Sequence, residues 1–248
     1  MNLTAQVMQE LRKRLKINAR NQEYQKIEEA ITVLNVAYLK LAADEIHGMI
    51  GRGVRIRSKY GLLMSIYNKH IREHQVMFLL FSIFENAMRS KAAVTISQHY
   101  SVTGTDDWWK DASTMNRNLI QPVSGALYKL HRNILTINTY DIFDTFTFGQ
   151  LQHIYKNCWS QLQSHFLPKP YKSYTLPHIN NSDMHRMFEY IRQARNDISH
   201  HKPIDYSRRA RRDLIEDCEV LLCHLDFNLV AAVNKIDPTH SIIRLRYI

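Results

Sequence analysis

The stretch Val76-Met-Phe-Leu-Leu-Phe-Ser-Ile-Phe-Glu-Asn-Ala87 decides the fold prediction, because it is apolar on nearly every face of a helix. A helix with that profile lies among other helices in the middle of a bundle. The helical pattern around it extends from residue 60 to about residue 100. Its most apolar part, residues 76–84, is interrupted by Ser82 and is far shorter than the ~20 residues of a membrane span. We therefore expect a central buried helix and no membrane partner.

The rest of the chain also favours helices. Seven glycines and six prolines in 248 residues are few, which argues against a many-turned β fold. The sequence therefore predicts an all-α bundle. The other predicted helices cover residues 3–15, about 24–47, 122–131, a segment capped by Thr145 or Thr147 and running to about 166, 182–202 and about 208–235.

Two segments between the predicted helices are candidates for connections. The short basic run Gly51-Arg-Gly-Val-Arg-Ile-Arg-Ser-Lys59 is the best candidate for an internal boundary, and residues 168–177, with three prolines, predict a loop. We expect an N-terminal helical extension over 1–50, a main helical domain over 60–236 and a tail over 237–248. The tail alternates weakly and predicts either a short strand or a docking segment.

Charge and cysteine content narrow the partners and the compartment. The net charge of +10, with thirteen histidines besides, favours polyanions, and nucleic acid is the leading partner class. A basic balance by itself can equally improve solubility or attract acidic membranes. Cys158, Cys218 and Cys223 lie in apolar helical patterns, which predicts reduced buried thiols and neither disulfides nor a zinc site. With no signal-peptide pattern at the N-terminus, we expect a cytoplasmic protein.

The run Arg195-Asn-Asp-Ile-Ser-His200-His201 ends an amphipathic helix just before Pro203. An arginine grips a phosphate through parallel hydrogen bonds, and a histidine moves a proton near neutral pH. The ordinary alternative is that cations at a helix C-terminus complement the dipole. Five residues correspond to roughly 140° around a helix, so Arg195 and His200 converge only if the helix ends between them or a two-fold interface completes the site. Asn196 shares a face with His200 and is expected to orient its imidazole.

Arg195, Asn196 and His200 resemble the Arg-x4-6-His signature of the HEPN superfamily, in which a polar residue follows the arginine. The chain is more specifically similar to the abortive-infection (Abi-like) family. Phe84-Glu85-Asn86-Ala-Met-Arg89 resembles that family's Glu-x-x-x-Arg helix, and Thr147-Phe-Gly149-Gln-Leu151 with Tyr155 resembles its Phe-Gly-x-Leu helix start. Trp108-Trp109 lies where such proteins often carry a tryptophan. The resemblance covers roughly residues 60–235.

The resemblance implies a HEPN-like bundle of four or more helices, here with additional N-terminal helices, that forms a homodimer. It also implies metal-independent, cofactor-free cleavage of RNA in phage defence or in a toxin–antitoxin pair. The expected catalytic residues are His200 for proton transfer, Arg195 for the charge on phosphate, and Asn196. An antitoxin or regulatory protein is a further expected partner.

Several side chains are expected around this signature, each beside an ordinary alternative. RNA-binding roles are expected for His201, Lys202, Arg208 and Arg211, of which the arginines could equally form a solvated face. Glu85 and Arg89 are expected to form either the polar floor of the cleft or a structural ion pair. Trp108 and Trp109 are expected to close the core rather than stack on bases, and the His70–His74 pair to lie on a partly exposed helix face rather than hold a metal.

Two other classes of function stay open at this point. A HEPN-like module can bind RNA, a nucleotide or a protein without catalysis. A scaffold or antitoxin-like protein can use a basic face to neutralise an acidic partner.

Overall fold

The computed structural model describes residues 3–101, 104–113, 115–131, 133–203 and 207–247. The chain is 72% helical, with eleven α-helices and one two-stranded hairpin among those residues, which confirms the all-α prediction. The helices are α1 Leu3–Leu15, α2 Gln22–Val33, α3 Val36–Gly51, α4 Lys59–Tyr100, α5 Arg117–Leu130, α6 Thr139–Asp144, α7 Phe148–Asn157, α8 Trp159–Leu162, α9 Asn181–Ser199, α10 Arg208–His224 and α11 Leu229–Ile236.

The chain forms two compact units. The first comprises Met1–Met77 and Asp197–Asp205, and the second comprises Phe78–Asn196 and Tyr206–Ile248. These limits differ from the predicted segment limits, because α4 and α9 each contribute residues to both units. The predicted connector at 51–59 falls inside the first unit.

The first unit is built from α1, α2, α3 and the first part of α4. The helix predicted over 24–47 is in fact two helices, because the Asn35 side chain accepts the Ala37 N–H at 3.0 Å and starts a new helix. The core of this unit joins the apolar stripes of all four helices and includes Leu11, Ile27, Leu39 and Leu63, each fully buried.

The N-terminus of α4 is held by a carboxylate from α2. Glu23 accepts the Ser58 hydroxyl at 2.6 Å and the Lys59 and Tyr60 N–H groups at 3.3 Å, while Ser58 Oγ accepts the Gly61 N–H at 3.0 Å. Four donors at this helix start are thereby satisfied. With these contacts α4 begins at Lys59, one residue before the predicted start at residue 60.

The second unit packs α4, α7 and α9 around an aromatic core. Phe84, Phe148, Tyr155 and Phe188 lie with ring centroids 4.9–6.1 Å apart. The prediction that α4 is buried on all sides over 76–87 is wrong at Phe78 and Leu79, which are 46% and 44% exposed.

The tryptophan pair belongs to the core of the second unit. Trp108 and Trp109 are each 3% exposed, and the Trp108 Nε1–H donates to Thr139 Oγ1 at 2.8 Å. The prediction that they close the core is confirmed, and buried rings leave no face for a base.

The C-terminal half departs from the predictions in several places, and the single helix predicted to run to about residue 166 divides into α7 and α8. α5 begins at Arg117 and contains Pro122 in its interior, and the predicted loop at 168–177 pairs strands β1 Lys169–Tyr171 and β2 Tyr174–Leu176 as an antiparallel hairpin. The helix predicted over 208–235 divides into α10 and α11, because Asn228 caps a new helix by accepting the Ala231 N–H.

The tail docks on α10 and is not a strand over the described residues. The buried Glu219 carboxylate accepts the N–H groups of Arg246 and Tyr247, each at 2.7 Å, and Ile243 is fully buried. Among the residues described, no helix combines the length and apolar character that crossing a bilayer requires.

Candidate functional site

The Arg195 guanidinium is held in the second unit by a carboxylate and an aromatic ring. Its Nη2 lies 3.1 Å from Glu85 Oε2 on α4, and its Cζ lies 5.8 Å from the centre of the Phe148 ring at the start of α7. Cation–π and charge contacts of this kind fix the plane of a guanidinium. α9 therefore presents Arg195 in one defined orientation.

The same carboxylate binds a second arginine. Arg89 Nη2 donates to Glu85 Oε1 at 2.6 Å, and Arg89 Nη1 donates to the carbonyl oxygens of Phe146, at 2.8 Å, and of Phe143. The Glu85 and Arg89 side chains are only 13% and 12% exposed. The alternative in which Glu85 and Arg89 form an ion pair is confirmed, and the pair anchors the chain just before α7.

This network brings together three motifs that are far apart in the sequence. α4 supplies Glu85 and Arg89, the start of α7 supplies Phe148, and α9 supplies Arg195. α7 starts where it does because Thr147 and Gln150 form a reciprocal capping box. Each of these positions was identified from its own motif in the sequence, and in the structure the four side chains form one cluster.

Arg195 keeps free binding capacity despite its ion pair. Its side chain is 35% exposed. Within the described residues only Nη2 has a polar partner, although a guanidinium carries five N–H donors. The remaining donors are available to an oxyanion, while Glu85 offsets the positive charge at Nη2.

The end of α9 is closed by backbone hydrogen bonds. The His201 N–H donates to the Ile198 carbonyl and the Lys202 N–H to the Asp197 carbonyl, both at 2.9 Å, with His201 at φ +54°. This is a Schellman arrangement with a histidine at the position that glycine usually takes. Backbone N–H groups already satisfy these carbonyls. The histidine side chains are therefore not needed as hydrogen-bond donors to the carbonyl groups of Asp197 and Ile198.

His200 is the first residue beyond α9 and is exposed. In the part of the chain that is described, its imidazole makes no hydrogen bond or ion pair, so the ring is accessible to a ligand. Asn196 lies half-buried in the last turn of α9. Its expected role in orienting His200 stays a prediction.

His201 stacks on His74 of α4, within the first unit. The two ring centroids are 5.6 Å apart with planes inclined by 25°. His74 Nδ1 lies 2.6 Å from the Tyr38 hydroxyl, which also donates to the Lys202 carbonyl at 3.2 Å. Burial, and then the nearby His201, lower the pKa of His74 below its usual value. Sequence analysis missed this cluster.

His70, one turn before His74, is only 7% exposed, so the prediction of a partly exposed face is wrong for it. Its ring nitrogens lie 2.7 Å from Glu45 and 3.5 Å from Glu73. The i,i+4 spacing of His70 and His74 was the one feature of the sequence that indicated a role for these side chains. That spacing suggested a common ligand, whereas in the structure each ring has its own partners. In the described ranges, no group of three or more His, Cys, Asp or Glu side chains has a metal-binding arrangement.

The four side chains expected to bind RNA lie in both units. In the first unit, His201 stacks on His74, and the 65% exposed Lys202 ammonium is 3.4 Å from Asp197. In the second unit, Arg208 is exposed at the start of α10, and Arg211 is half-buried. Their roles remain predictions.

Acidic side chains of α10 contact some of its arginines. Arg209 lies 3.9 Å from Asp213, one turn further along the helix. Arg212 also contacts Asp213, at 3.8 Å, and Glu216 binds Arg246 of the tail. Asp213 therefore offsets two of the arginines in this basic cluster.

Two clefts of the second unit lie away from Arg195. A cleft of about 400 Å³ has an acidic lining that includes Asp213 and Asp217, which repels a polyanion. A groove of about 600 Å³ is lined mainly by apolar residues such as Ile83 and Phe227. Glu85, Arg89 and Arg195 line neither of these two clefts.

Comparisons with protein-family models, with curated proteins and with solved structures give no match for this chain. The resemblance to the HEPN superfamily therefore rests on the motif residues in the sequence alone.

Proposed function

We propose that this protein is an endoribonuclease that cleaves RNA by attack of a ribose 2′-OH on the adjacent phosphodiester, without a metal or cofactor. The proposed setting is abortive-infection phage defence or a toxin–antitoxin pair. The observation that carries the proposal is the cluster of Glu85, Phe148 and Arg195. Three segments that resemble Abi-like motifs supply these side chains, and a chance similarity gives no reason for them to meet.

In the proposed reaction, the 2′-oxygen bonds to phosphorus and the bond from phosphorus to the 5′-oxygen breaks. The products are a 2′,3′-cyclic phosphate and a free 5′-OH. His200 transfers a proton, a role typically worth ~10²–10⁴ in rate. Arg195 stabilises the charge that builds on the phosphate oxygens.

The local environments of both residues support these roles. Arg195 is fixed by Glu85 and by the Phe148 ring, so it needs no reorganisation when charge develops. The His200 ring is exposed and makes no polar contact within the described residues. We assign Asn196 to positioning His200 or the ribose, and His201, Lys202, Arg208 and Arg211 to binding phosphates.

Induction in bacterial cells tests the proposal against the binding-module alternative. We expect the wild type to arrest growth and degrade RNA, and His200→Ala to do neither. His99→Ala is the matched control, because His99 is an exposed histidine that contacts only Tyr100 among the described rings. Equal growth arrest from wild type and His200→Ala would contradict catalysis by this residue.

We also propose that the protein acts as a homodimer. The resemblance implies a dimer, and the exposed Phe78 and Leu79 on α4 supply apolar surface for self-association. Phe78→Glu with Leu79→Glu is expected to convert the dimer to a monomer in sedimentation equilibrium. A wild-type monomer at micromolar concentration would contradict this partner.

A further inference from the structure

Cleavage by 2′-OH attack needs two proton transfers, one from the 2′-oxygen and one to the departing 5′-oxygen. The signature supplies a single histidine, His200, for both. A second imidazole at the same end of α9 would let one ring act as the base and the other as the acid. His201 follows His200 in the chain, so the side chains that contact His201 are the candidates.

We propose that His74 is this second proton-transfer residue. In this proposal, His74 and His201 together bind the scissile phosphate on the solvent side of Tyr38. The inference rests on the proposed ribonuclease function. Because His201 stacks on His74 at 5.6 Å, the segment that carries His200 lies against α4 at His74 within the first unit.

Tyr38 fixes the tautomer that a base requires. Its single hydroxyl proton donates to the Lys202 carbonyl, which can only accept. We assign the matching tautomer, in which the His74 Nδ1–H donates to the hydroxyl oxygen at 2.6 Å and the Nε2 lone pair is unprotonated. Burial raises the pKa of Tyr38 to about 12, so the phenol keeps its proton at neutral pH.

The balance of the step follows from this assignment. His74 Nε2 takes the proton of the 2′-OH, the 2′-oxygen bonds to phosphorus, and the 5′-oxygen leaves with a proton from His200. Burial lowers the pKa of His74, so its imidazole is neutral and ready to accept a proton near pH 7. His201 stacks on His74 and donates a hydrogen bond to a phosphate oxygen.

The test follows the imidazole C2 protons of the full chain by NMR while inorganic phosphate is added. His74→Ala and His201→Ala identify the two resonances by their absence. We expect phosphate to shift both resonances and to raise the pKa of His74, with the His99 resonance unchanged. Unchanged His74 and His201 resonances would overturn the inference, whatever the protein does to RNA.

Cleavage by the same variants separates the inference from the proposed function. We expect His74→Ala to lose ~10² or more in rate, together with the limb of the pH profile that reports the base. Tyr38→Phe keeps the buried ring, so it tests the cluster even if His74→Ala misfolds, and we expect a rate at least tenfold lower. Wild-type rates in both variants would overturn the inference alone. If the wild type cleaves no RNA but its His74 resonance responds to phosphate, the proposed ribonuclease function is overturned and only a phosphate-binding site remains.

Discussion

The Glu85 carboxylate lies 3.1 Å from the Arg195 guanidinium and so joins the middle of α4 to the last turns of α9. Its other oxygen binds Arg89, which holds the chain before α7. One carboxylate therefore serves two cations, and the three groups together carry a net positive charge. This relationship gives Arg195 a fixed orientation.

Replacing Arg195 tests its role in transition-state stabilisation. We expect Arg195→Ala to lower kcat by ~10²–10³, because a preorganised donor to the phosphate is lost. Arg195→Lys keeps the charge but loses the planar fork, so its kcat should fall in between. Arg192→Ala is the matched control, since Arg192 also lies on α9 in an ion pair, with Glu189 at 2.6 Å. Equal kcat values for the two alanine variants would contradict the assignment.

Glu85→Gln is expected to destabilise the protein. Two guanidinium groups would lose their counter-charge, and breaking a buried pair costs about 3–5 kcal/mol. Since Arg195 is 35% exposed, we expect roughly 1–3 kcal/mol. Urea denaturation measures the change, with Asp213→Asn, from an exposed pair with Arg209 at 3.9 Å, expected to cost under about 1 kcal/mol. Similar losses from both variants would show that Glu85 is an ordinary surface partner.

The candidate site was only partly predictable from the sequence. Glu85, Arg89 and Arg195 were found as motif residues, but their contact depends on how α4, α7 and α9 pack, which spacing along one chain does not contain. Tyr38 and the stacking of His74 on His201 were missed for the same reason. Their signal was limited to the His70–His74 spacing, which any amphipathic helix can show.

Trp108→Phe separates the core role of Trp108 from a stacking role. The variant loses the Nε1–H bond to the buried Thr139 hydroxyl, so we expect a loss of about 1–3 kcal/mol in the free energy of unfolding. RNA affinity of the folded protein should not change. Tyr128→Phe, at a ring 77% exposed, is the control and should leave stability unchanged. A weaker affinity in Trp108→Phe at full folding would point to base stacking.

Asp217→Asn is expected to change the pH dependence of stability. Burial raises the pKa of Asp217 from 3.8 to about 6, so this group favours the folded state most below pH 3.8, and that contribution is lost as pH rises through 6. The amide has no charge to bury, so the variant should gain roughly 1–3 kcal/mol relative to wild type between pH 4 and pH 7. Denaturation at the two pH values measures this, and parallel pH profiles would contradict it.

The fold was predicted best where the apolar pattern is long. α4 matched within one residue at both ends and α9 at its start, because their stripes continue without a competing cap, whereas α9 ends at Ser199, three residues before the predicted end. The single helices predicted over 24–47 and 208–235 were wrong, because Asn35 and Asn228 each start a new helix. An asparagine inside an apolar pattern is ambiguous from sequence alone, since it caps a helix only where the backbone turns.

The central claim is metal-independent cleavage by the signature residues, and the chemistry of the new RNA ends tests it most directly. Purified wild type and His200→Ala would be incubated with labelled total RNA in EDTA, and the product termini analysed. We predict 2′,3′-cyclic phosphate and 5′-OH ends from the wild type only. Intact RNA with the wild type, or identical products from His200→Ala, would contradict the account.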